Sequence, residues 1–184
     1  MLMTFRSHPW LLLIGLTLSG ACSSEMDPTT PLLPLVVGQS HGGGIIFYLD
    51  DADEHGLIAA ASDLDGDPHW FNGSHLVTGA TGTEIGTGQA NTSAIVNVQG
   101  AGSYAAGLCD QLVLNGFSDW FLPSKDELNA LFLQKARVEG FDEGFYWSST
   151  EHGEGSAWEQ VFNTGDQHFA NKNFPIKVRP IRAF

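Results

Sequence analysis

Glycine is the feature that most limits what this chain can fold into. The 184 residues include 22 Gly and 8 Pro, a composition typical of turn-rich folds and not of helix bundles. Between these breaks lie short apolar runs, rich in β-branched and aromatic residues, which predict β-strands. Two such runs, 45–49 and 57–60, are joined by a polar turn and predict a hairpin. Three more strand-like runs follow near the end of the chain, at 145–147, 157–162 and 176–179.

A first amphipathic helix is predicted over residues 102–114. Tyr104, Leu108 and Leu112 recur every fourth residue, so they share one helix face. The pattern stops at Asn115-Gly116, a pair that suits the end of a helix.

A second helix is predicted to begin at Ser124. Ser124 and Glu127 have the spacing of a capping box, directly after Pro123. The inward stripe of this helix is formed by Leu128, Leu131 and Phe132. Residues 62–100 have little periodicity and are interpreted as long loops with short elements. The order of strands, two helices and strands predicts an α+β fold.

The first 21 residues have the pattern of an export signal. Arg6 and His8 precede the apolar stretch 10–18, which is too short to cross a bilayer, because a spanning helix needs about 20 residues. Small residues lie directly before Cys22 and resemble the lipobox of bacterial lipoproteins, whose cysteine is lipidated after cleavage. The alternative is an ordinary secretory signal, with Cys22 as a bystander.

The lipoprotein interpretation divides the chain into three parts. Residues 1–21 are the signal peptide, 22–35 are the lipidated Cys22 and a Pro-rich tether, and 36–184 are the folded domain. Ser23 after the cysteine resembles the outer-membrane sorting signal of Gram-negative lipoproteins. We therefore expect a membrane-anchored protein on the surface of a Gram-negative bacterium.

The chain has only two cysteines, Cys22 and Cys109. If Cys22 is lipidated, Cys109 has no disulfide partner and the fold depends on packing alone. Cys109 lies within the predicted helix 102–114 and is interpreted as a small buried core residue. A catalytic nucleophile at Cys109 is the alternative.

Charge is distributed unevenly along the chain. The formal net charge is −13, which argues against a nucleic-acid partner, since phosphate binding needs a basic surface. Apart from Arg6, every basic residue lies at or beyond position 125: Lys125, Lys135, Arg137, Lys172, Lys177, Arg179 and Arg182. A basic cluster could therefore form only from the C-terminal part of the chain.

Six motifs in order carry a family resemblance. They lie at 42–48, 55–60, 82–92, 119–128, 146–151 and 178–184. Together they resemble the Lcl C-terminal domain family of bacterial surface lipoproteins, over residues 38–184. The motifs around Trp120 and Trp147 also resemble C-type lectin-like domains. The resemblance implies that fold, with short mixed or antiparallel sheets, two amphipathic helices and long loops.

The resemblance also implies a class of ligand. The family takes its name from a collagen-like adhesin, which suggests sulfated glycans, and these need a basic patch. The only concentration of cations is Lys172, Lys177, Arg179 and Arg182. Arg179 and Arg182 have an alternative, which is internal pairing with the acidic half; we favour that pairing for Arg179 and leave Lys172 open as a ligand-binding residue.

Two metal sites are considered. Asp63, Asp65 and Asp67 alternate along the chain, an oxygen-rich spacing that Ca²⁺ prefers, and lectin-like domains often bind Ca²⁺ in their long loops. The alternative is a solvated acidic turn. His69 and His75 could form half of a zinc site, but no further Cys or His pair has matching spacing.

Two classes of function follow. The first is a non-catalytic binding domain for a glycan or surface protein, in which exposed Trp70 and Trp158 supply stacking and Lys172 supplies charge. The second is a cell-envelope enzyme, either a hydrolase using Ser148 or Ser149 with His152, or a relative of the formylglycine-generating group. Resemblance to the formylglycine-generating group implies a site with two cysteines or a copper–thiolate bond. A single cysteine cannot reproduce such a site. We expect the binding domain and no catalytic residues.

Overall fold

Residues 34–184 are described by a computed structural model. The predicted signal peptide 1–21, the predicted lipidation site Cys22 and the tether up to residue 33 lie outside the described residues. Eleven elements are assigned within residues 34–184: β1 (Ser40–His41), β2 (Gly44–Leu49), β3 (Gly56–Ala59), α1 (Gly88–Gln99), α2 (Ala105–Asp110), α3 (Lys125–Leu133), α4 (Lys135–Val138), β4 (Phe145–Gly153), β5 (Ser156–Val161), β6 (Gln167–Asn171) and β7 (Ile181–Ala183).

The first sheet has four antiparallel strands in the order β1-β2-β3-β7. The predicted hairpin is present, with Ile46 opposite Ile58 across β2 and β3. On the other side of β3, Ile58 lies opposite Arg182 of β7. The last residues of the chain therefore complete a sheet that the first part of the domain begins.

The second sheet has three antiparallel strands in the order β4-β5-β6. The prediction of a strand at 176–179 is wrong, because neighbouring residues of this segment hydrogen-bond to different parts of the chain and do not pair along one strand. Lys177 forms an isolated parallel bridge to Tyr146, while the carbonyl oxygen of Val178 accepts from Leu64. The architecture is α+β, as predicted.

Helix α1 contradicts the expectation that 62–100 contains only loops and short elements. Its buried residues are Gly88, Asn91, Thr92 and Ile95, so the inward face is mostly polar. Asn91 exchanges hydrogen bonds with the backbone of Gly82, and the hydroxyl of Thr92 bonds to the backbone of Leu122. A helix that packs through hydrogen bonds lacks the apolar period by which helices are recognised in a sequence.

Helix α2 is shorter than the predicted helix 102–114. It ends at Asp110, and Asn115-Gly116 does not cap it. Both residues have positive φ, 53° and 84°, and they form a tight turn in which Leu114 and Phe117 exchange backbone hydrogen bonds. Asn-Gly is the dipeptide that such a hairpin turn favours. Cys109, within α2, is fully buried as predicted.

Helix α3 begins with the predicted capping box. The hydroxyl of Ser124 accepts from the N–H of Glu127, and the Glu127 carboxylate accepts from the N–H of Ser124. Glu127 also accepts from the N–H of Gly86, 2.8 Å away. Burial raises the pKa of Glu127, and these backbone donors oppose that rise. The carboxylate therefore ties the start of α3 to the loop before α1.

Two buried apolar clusters hold the elements together. One contains Trp70, Tyr104, Cys109, Leu122 and Trp147, and the other contains Phe47, Phe121, Leu128, Tyr146, Phe162 and Ile181. The first cluster joins α1 and α2 to the second sheet, whereas the second cluster joins α3 to both sheets. Within residues 34–184, no helix has the length and apolarity needed to cross a membrane.

Candidate ligand-binding surface

The predicted ligand residues Trp70 and Lys172 are not on the surface. Both are 0% exposed, so the expectation of an exposed indole and an available ammonium group is wrong at these two positions. The indole nitrogen of Trp70 donates to the carbonyl of Ser148 at 2.8 Å, and the Lys172 ammonium lies 4.5 Å from the centre of the Trp70 ring. Both residues belong to the interior.

Lys172 forms a buried ion pair with Glu151. The Lys172 Nζ atom is 2.5 Å from Glu151 Oε1, and the two side chains are 0% and 2% exposed. Lys172 also donates to the carbonyl of Leu76, while Glu151 accepts from the N–H groups of Thr78 and Gly79. The pair therefore fixes the loop 76–79 against the second sheet.

The other three C-terminal cations are also paired. Arg179 Nε lies 2.6 Å from Asp63, and Arg182 Nε lies 2.7 Å from Asp119. The hydrogen bond from Arg182 lowers the pKa of Asp119. Lys177 lies 2.9 Å from Asp142 and 3.7 Å from Asp67. The internal pairing predicted for Arg179 is confirmed, Arg182 takes the alternative of internal pairing that the sequence left open, and the four residues do not form a basic patch.

The acidic motif is dispersed by the same ion pairs. Asp63 bonds to Arg179 and accepts from the Tyr146 hydroxyl at 2.6 Å, whereas Asp67 faces Lys177. Asp65 is exposed. No group of three His, Cys, Asp or Glu side chains suited to a metal occurs within 34–184. The structure therefore does not bring Asp63, Asp65 and Asp67 together as calcium ligands.

An aromatic ring separates the two histidines of the proposed half zinc site. The Phe71 ring centre lies 6.3 Å from that of His69 and 4.8 Å from that of His75. His69 and His75 are exposed. They form a small aromatic cluster with Phe71 and not a pair of metal ligands.

The two serines that could serve in a hydrolase are buried, and their hydroxyl groups hydrogen-bond within the protein. Ser148 and Ser149 are fully buried; the Ser148 hydroxyl donates to the carbonyl of Trp158, and that of Ser149 accepts from Asn91. His152 instead contacts the Ser156 hydroxyl, with Nδ1 3.0 Å from Oγ. Burial raises the pKa of the Cys109 thiol, which opposes formation of a thiolate nucleophile.

Trp158 lies in a cluster of three partly or largely exposed rings, which we name the aromatic patch: His152, Trp158 and Phe169. The rings of His152 and Phe169 stack in parallel, with 4.1 Å between centres and 3° between planes. Trp158 meets both edge to face, at 5.8 Å from His152 and 6.1 Å from Phe169. Mutual packing limits the motion of all three rings.

The register of the second sheet creates the aromatic patch. Trp158 of β5 lies directly opposite Phe169 of β6, so their side chains leave the same face of the sheet. Ser156 and Asn171 are paired two positions further along the same two strands. Because side chains alternate along a strand, this pair lies on the same face as Trp158 and Phe169. A sequence can suggest each strand, but this pairing depends on the length of the turn between them.

Lys125 borders the aromatic patch at the start of α3. Its ammonium group lies 4.0 Å from the centre of the Trp158 ring, a cation–π contact. The backbone of Lys125 is held on two sides, because its N–H donates to the Thr150 hydroxyl and its carbonyl accepts from the Gln167 amide. The capped helix therefore positions one cation at the edge of the three rings.

The glycines at 42–44 allow their backbone to lie close to neighbouring segments. These glycines line an open cavity of about 420 Å³ with Ser40, His41 and Asn115. A Cβ atom at Gly44 would collide with the carbonyl of Ala59, and one at Gly43 would lie 2.7 Å from the Phe117 ring. Close approach between segments is therefore sufficient to explain this motif.

Comparison with known proteins gives one family. The model of the Lcl C-terminal domain matches residues 69–182, more than half of the chain. The matched segment includes all three rings of the aromatic patch, Lys125 and both members of the Lys172–Glu151 pair. No curated protein matches the chain. The chain belongs to the Lcl C-terminal domain family.

Proposed function

We propose that this chain is an exported, lipid-anchored surface protein of a Gram-negative bacterium, and that its domain binds saccharides without catalysis through the aromatic patch. The observation that carries this proposal is the aromatic patch itself, in which three partly or largely exposed rings pack against one another. The C–H face of a sugar ring is apolar and stacks on aromatic rings, while its hydroxyl groups bond to polar neighbours.

Burial and exposure within the patch favour binding over a purely structural role. Phe169 is 57% exposed although it contacts the rings of both His152 and Trp158. Packing within the protein therefore leaves more than half of this side chain free to contact a ligand. The patch is also small, and its neighbours Ser156 and Asn171 are polar. A protein partner would need a contact surface of about 800 Å² on each side, whereas one sugar ring needs only the patch and its polar border.

The enzyme alternative has less support. The candidate nucleophiles Ser148, Ser149 and Cys109 are buried, and a nucleophile must reach its substrate. The C-type lectin-like assignment stays a prediction from the sequence motifs, to which the α+β architecture with its two small sheets lends support. A glycan-binding role is consistent with that assignment, but a fold alone does not determine a function.

The patch is tested by Phe169→Ala in the detergent-solubilised full-length protein, assayed on a glycan array. We expect the affinity for the best array ligand to fall about tenfold, which corresponds to about 1.4 kcal/mol. The free energy of unfolding should fall by no more than about 1.5 kcal/mol, because the ring is 57% exposed and loses only its contacts with His152 and Trp158. The matched control is Phe174→Ala, since Phe174 is 53% exposed and lies outside the patch. Equal binding by both variants would contradict the proposal.

The lipid anchor is tested separately by Cys22→Ala. We expect this variant to lose palmitate labelling and to leave the membrane fraction, because acyl chains are required for stable attachment. The matched control is Cys109→Ala, which should keep both properties, as Cys109 is a buried core residue. A Cys22→Ala protein that is still labelled and membrane-bound would contradict lipidation at this position.

A further inference from the structure

We infer that the aromatic patch takes an uncharged saccharide, in preference to a sulfated or otherwise anionic one. This inference rests on the proposed function and specifies its class of ligand. It is carried by two observations: the state of the cations in the described part of the chain, and the residues that share the sheet face with the rings.

The first observation is that few cations are available. Removing Arg6, Glu25 and Asp27 from the totals of 8 basic and 21 acidic residues leaves 7 and 19 in residues 34–184, a net charge of −12. Of these seven cations, the four at 172–182 are paired with carboxylates. Lys135 is also engaged, since it donates to the carbonyl of Phe162 and lies over the Phe132 ring.

Only Lys125 of these cations is placed at the rings, and its ammonium group lies over Trp158. Arg137 is exposed on α4 and lies beside Gly38. Lys125 begins α3, so the length of that helix lies between the two residues in the chain. Binding of a polyanion requires several cations along its path, and a field of net negative charge repels it further. One ammonium group at the patch does not meet that requirement.

The second observation is that the sheet face around the rings is polar but uncharged. Ser156 and Asn171 flank Trp158 and Phe169 in register, and Gln160 lies opposite Gln167 on the other side. Gln160 is buried, the Gln167 amide is engaged with Lys125 and Gln160, and the Ser156 hydroxyl contacts His152. Asn171 is exposed. Hydroxyl and amide groups match the hydroxyl groups of a neutral sugar, and they provide no positive charge to balance a buried sulfate.

The test uses affinity electrophoresis of the detergent-solubilised full-length protein in gels that contain one polysaccharide each. The probes are dextran, mannan and galactan, each beside its sulfated derivative, together with heparin. We expect at least one neutral polymer to retard the protein, its sulfated derivative to bind at least about tenfold more weakly, and Phe169→Ala, but not Phe174→Ala, to abolish the retardation. The neutral interaction should change little between about 20 and 150 mM salt, because no counterions are released.

The outcomes separate the two proposals. If sulfated polymers bind more tightly, with steep salt dependence, and Phe169→Ala abolishes that binding, the patch stands and the preference for uncharged sugars is overturned. If no neutral polymer binds, and heparin binds equally to the wild type and to Phe169→Ala but not to Arg137→Ala, both are overturned in favour of a site on α4. Failure of every polymer to bind contradicts saccharide binding itself.

Discussion

Glu151→Gln is expected to lower the free energy of unfolding by about 3 to 5 kcal/mol, because it leaves the Lys172 ammonium buried without its counter-charge. The side chains of Lys172 and Glu151 are 0% and 2% exposed, so water cannot replace the lost partner. The substitution keeps the volume of the side chain but also places an amide donor among the N–H groups of Thr78 and Gly79, which now donate to the carboxylate. A domain of ordinary stability, about 5 to 15 kcal/mol, would lose between about a fifth and all of its free energy of unfolding.

Urea unfolding followed by tryptophan fluorescence measures this loss. The matched control is Lys177→Met, which removes a cation from the Lys177–Asp142 pair; those side chains are 27% and 71% exposed, so the cost should stay below about 1 kcal/mol. The double variant Glu151→Gln/Lys172→Met should recover much of the loss, since no unpaired ammonium remains. A loss below about 1 kcal/mol in Glu151→Gln would show that the pair does not hold the loop 76–79.

Local patterns predicted those elements whose signals lie within a few residues of each other. The β2–β3 hairpin and the capping box of Ser124 and Glu127 are both short-range features, and both are present. Helix α1 has no such signal, because Asn91 and Thr92 bury their side chains by hydrogen bonding to Gly82 and Leu122. Partners at such distances in the chain leave no local period to recognise.

The prediction of Trp70 and Lys172 as ligand-binding residues is wrong because both side chains are buried in the interior of the domain. Trp70 and Lys172 have the residue types of a binding site, and Lys172 lies in the only basic segment of the chain. Their burial depends on contacts with Ser148 and Glu151, which only the assembled sheet provides. Lys and Glu are almost never fully buried unless they are paired, so composition alone favoured exposure.

The candidate site could be predicted only in part. Trp158 is predicted to be exposed, and the structure leaves it partly exposed between the buried Ala157 and Glu159 of β5. Phe169 and His152 were not associated with it, since their contact requires the register of three strands. The available signal was the strand 157–162 followed by a second alternating segment after the Thr164-Gly165 turn.

Arg179→Met is expected to have the second large effect, again about 3 to 5 kcal/mol of unfolding free energy. Arg179 is 0% exposed and its guanidinium group joins four partners: the Asp63 carboxylate and the carbonyls of Ala60, Glu139 and Gly140. Glu139 is a non-glycine residue with φ of 61° and ψ of −178°, a conformation that persists only where the surroundings enforce it. Removing the guanidinium would leave Asp63 without its cation and would release this turn.

The informative control for Arg179→Met is Arg179→Lys, which keeps the charge but not the planar fork of donors. An ammonium group can retain Asp63, yet it cannot also reach carbonyls on both sides of the site, so we expect a loss of about 1 to 3 kcal/mol by urea unfolding. Amide hydrogen exchange should then rise at 139–144 in the Lys variant while the β2–β3 hairpin keeps its protection. If Arg179→Lys matches the wild type in both measurements, charge alone holds this corner. The C-terminal arginine would then serve only to neutralise the acidic half, and the turn at Glu139 would owe its conformation to the packing of Phe141 against Tyr146 and Phe162.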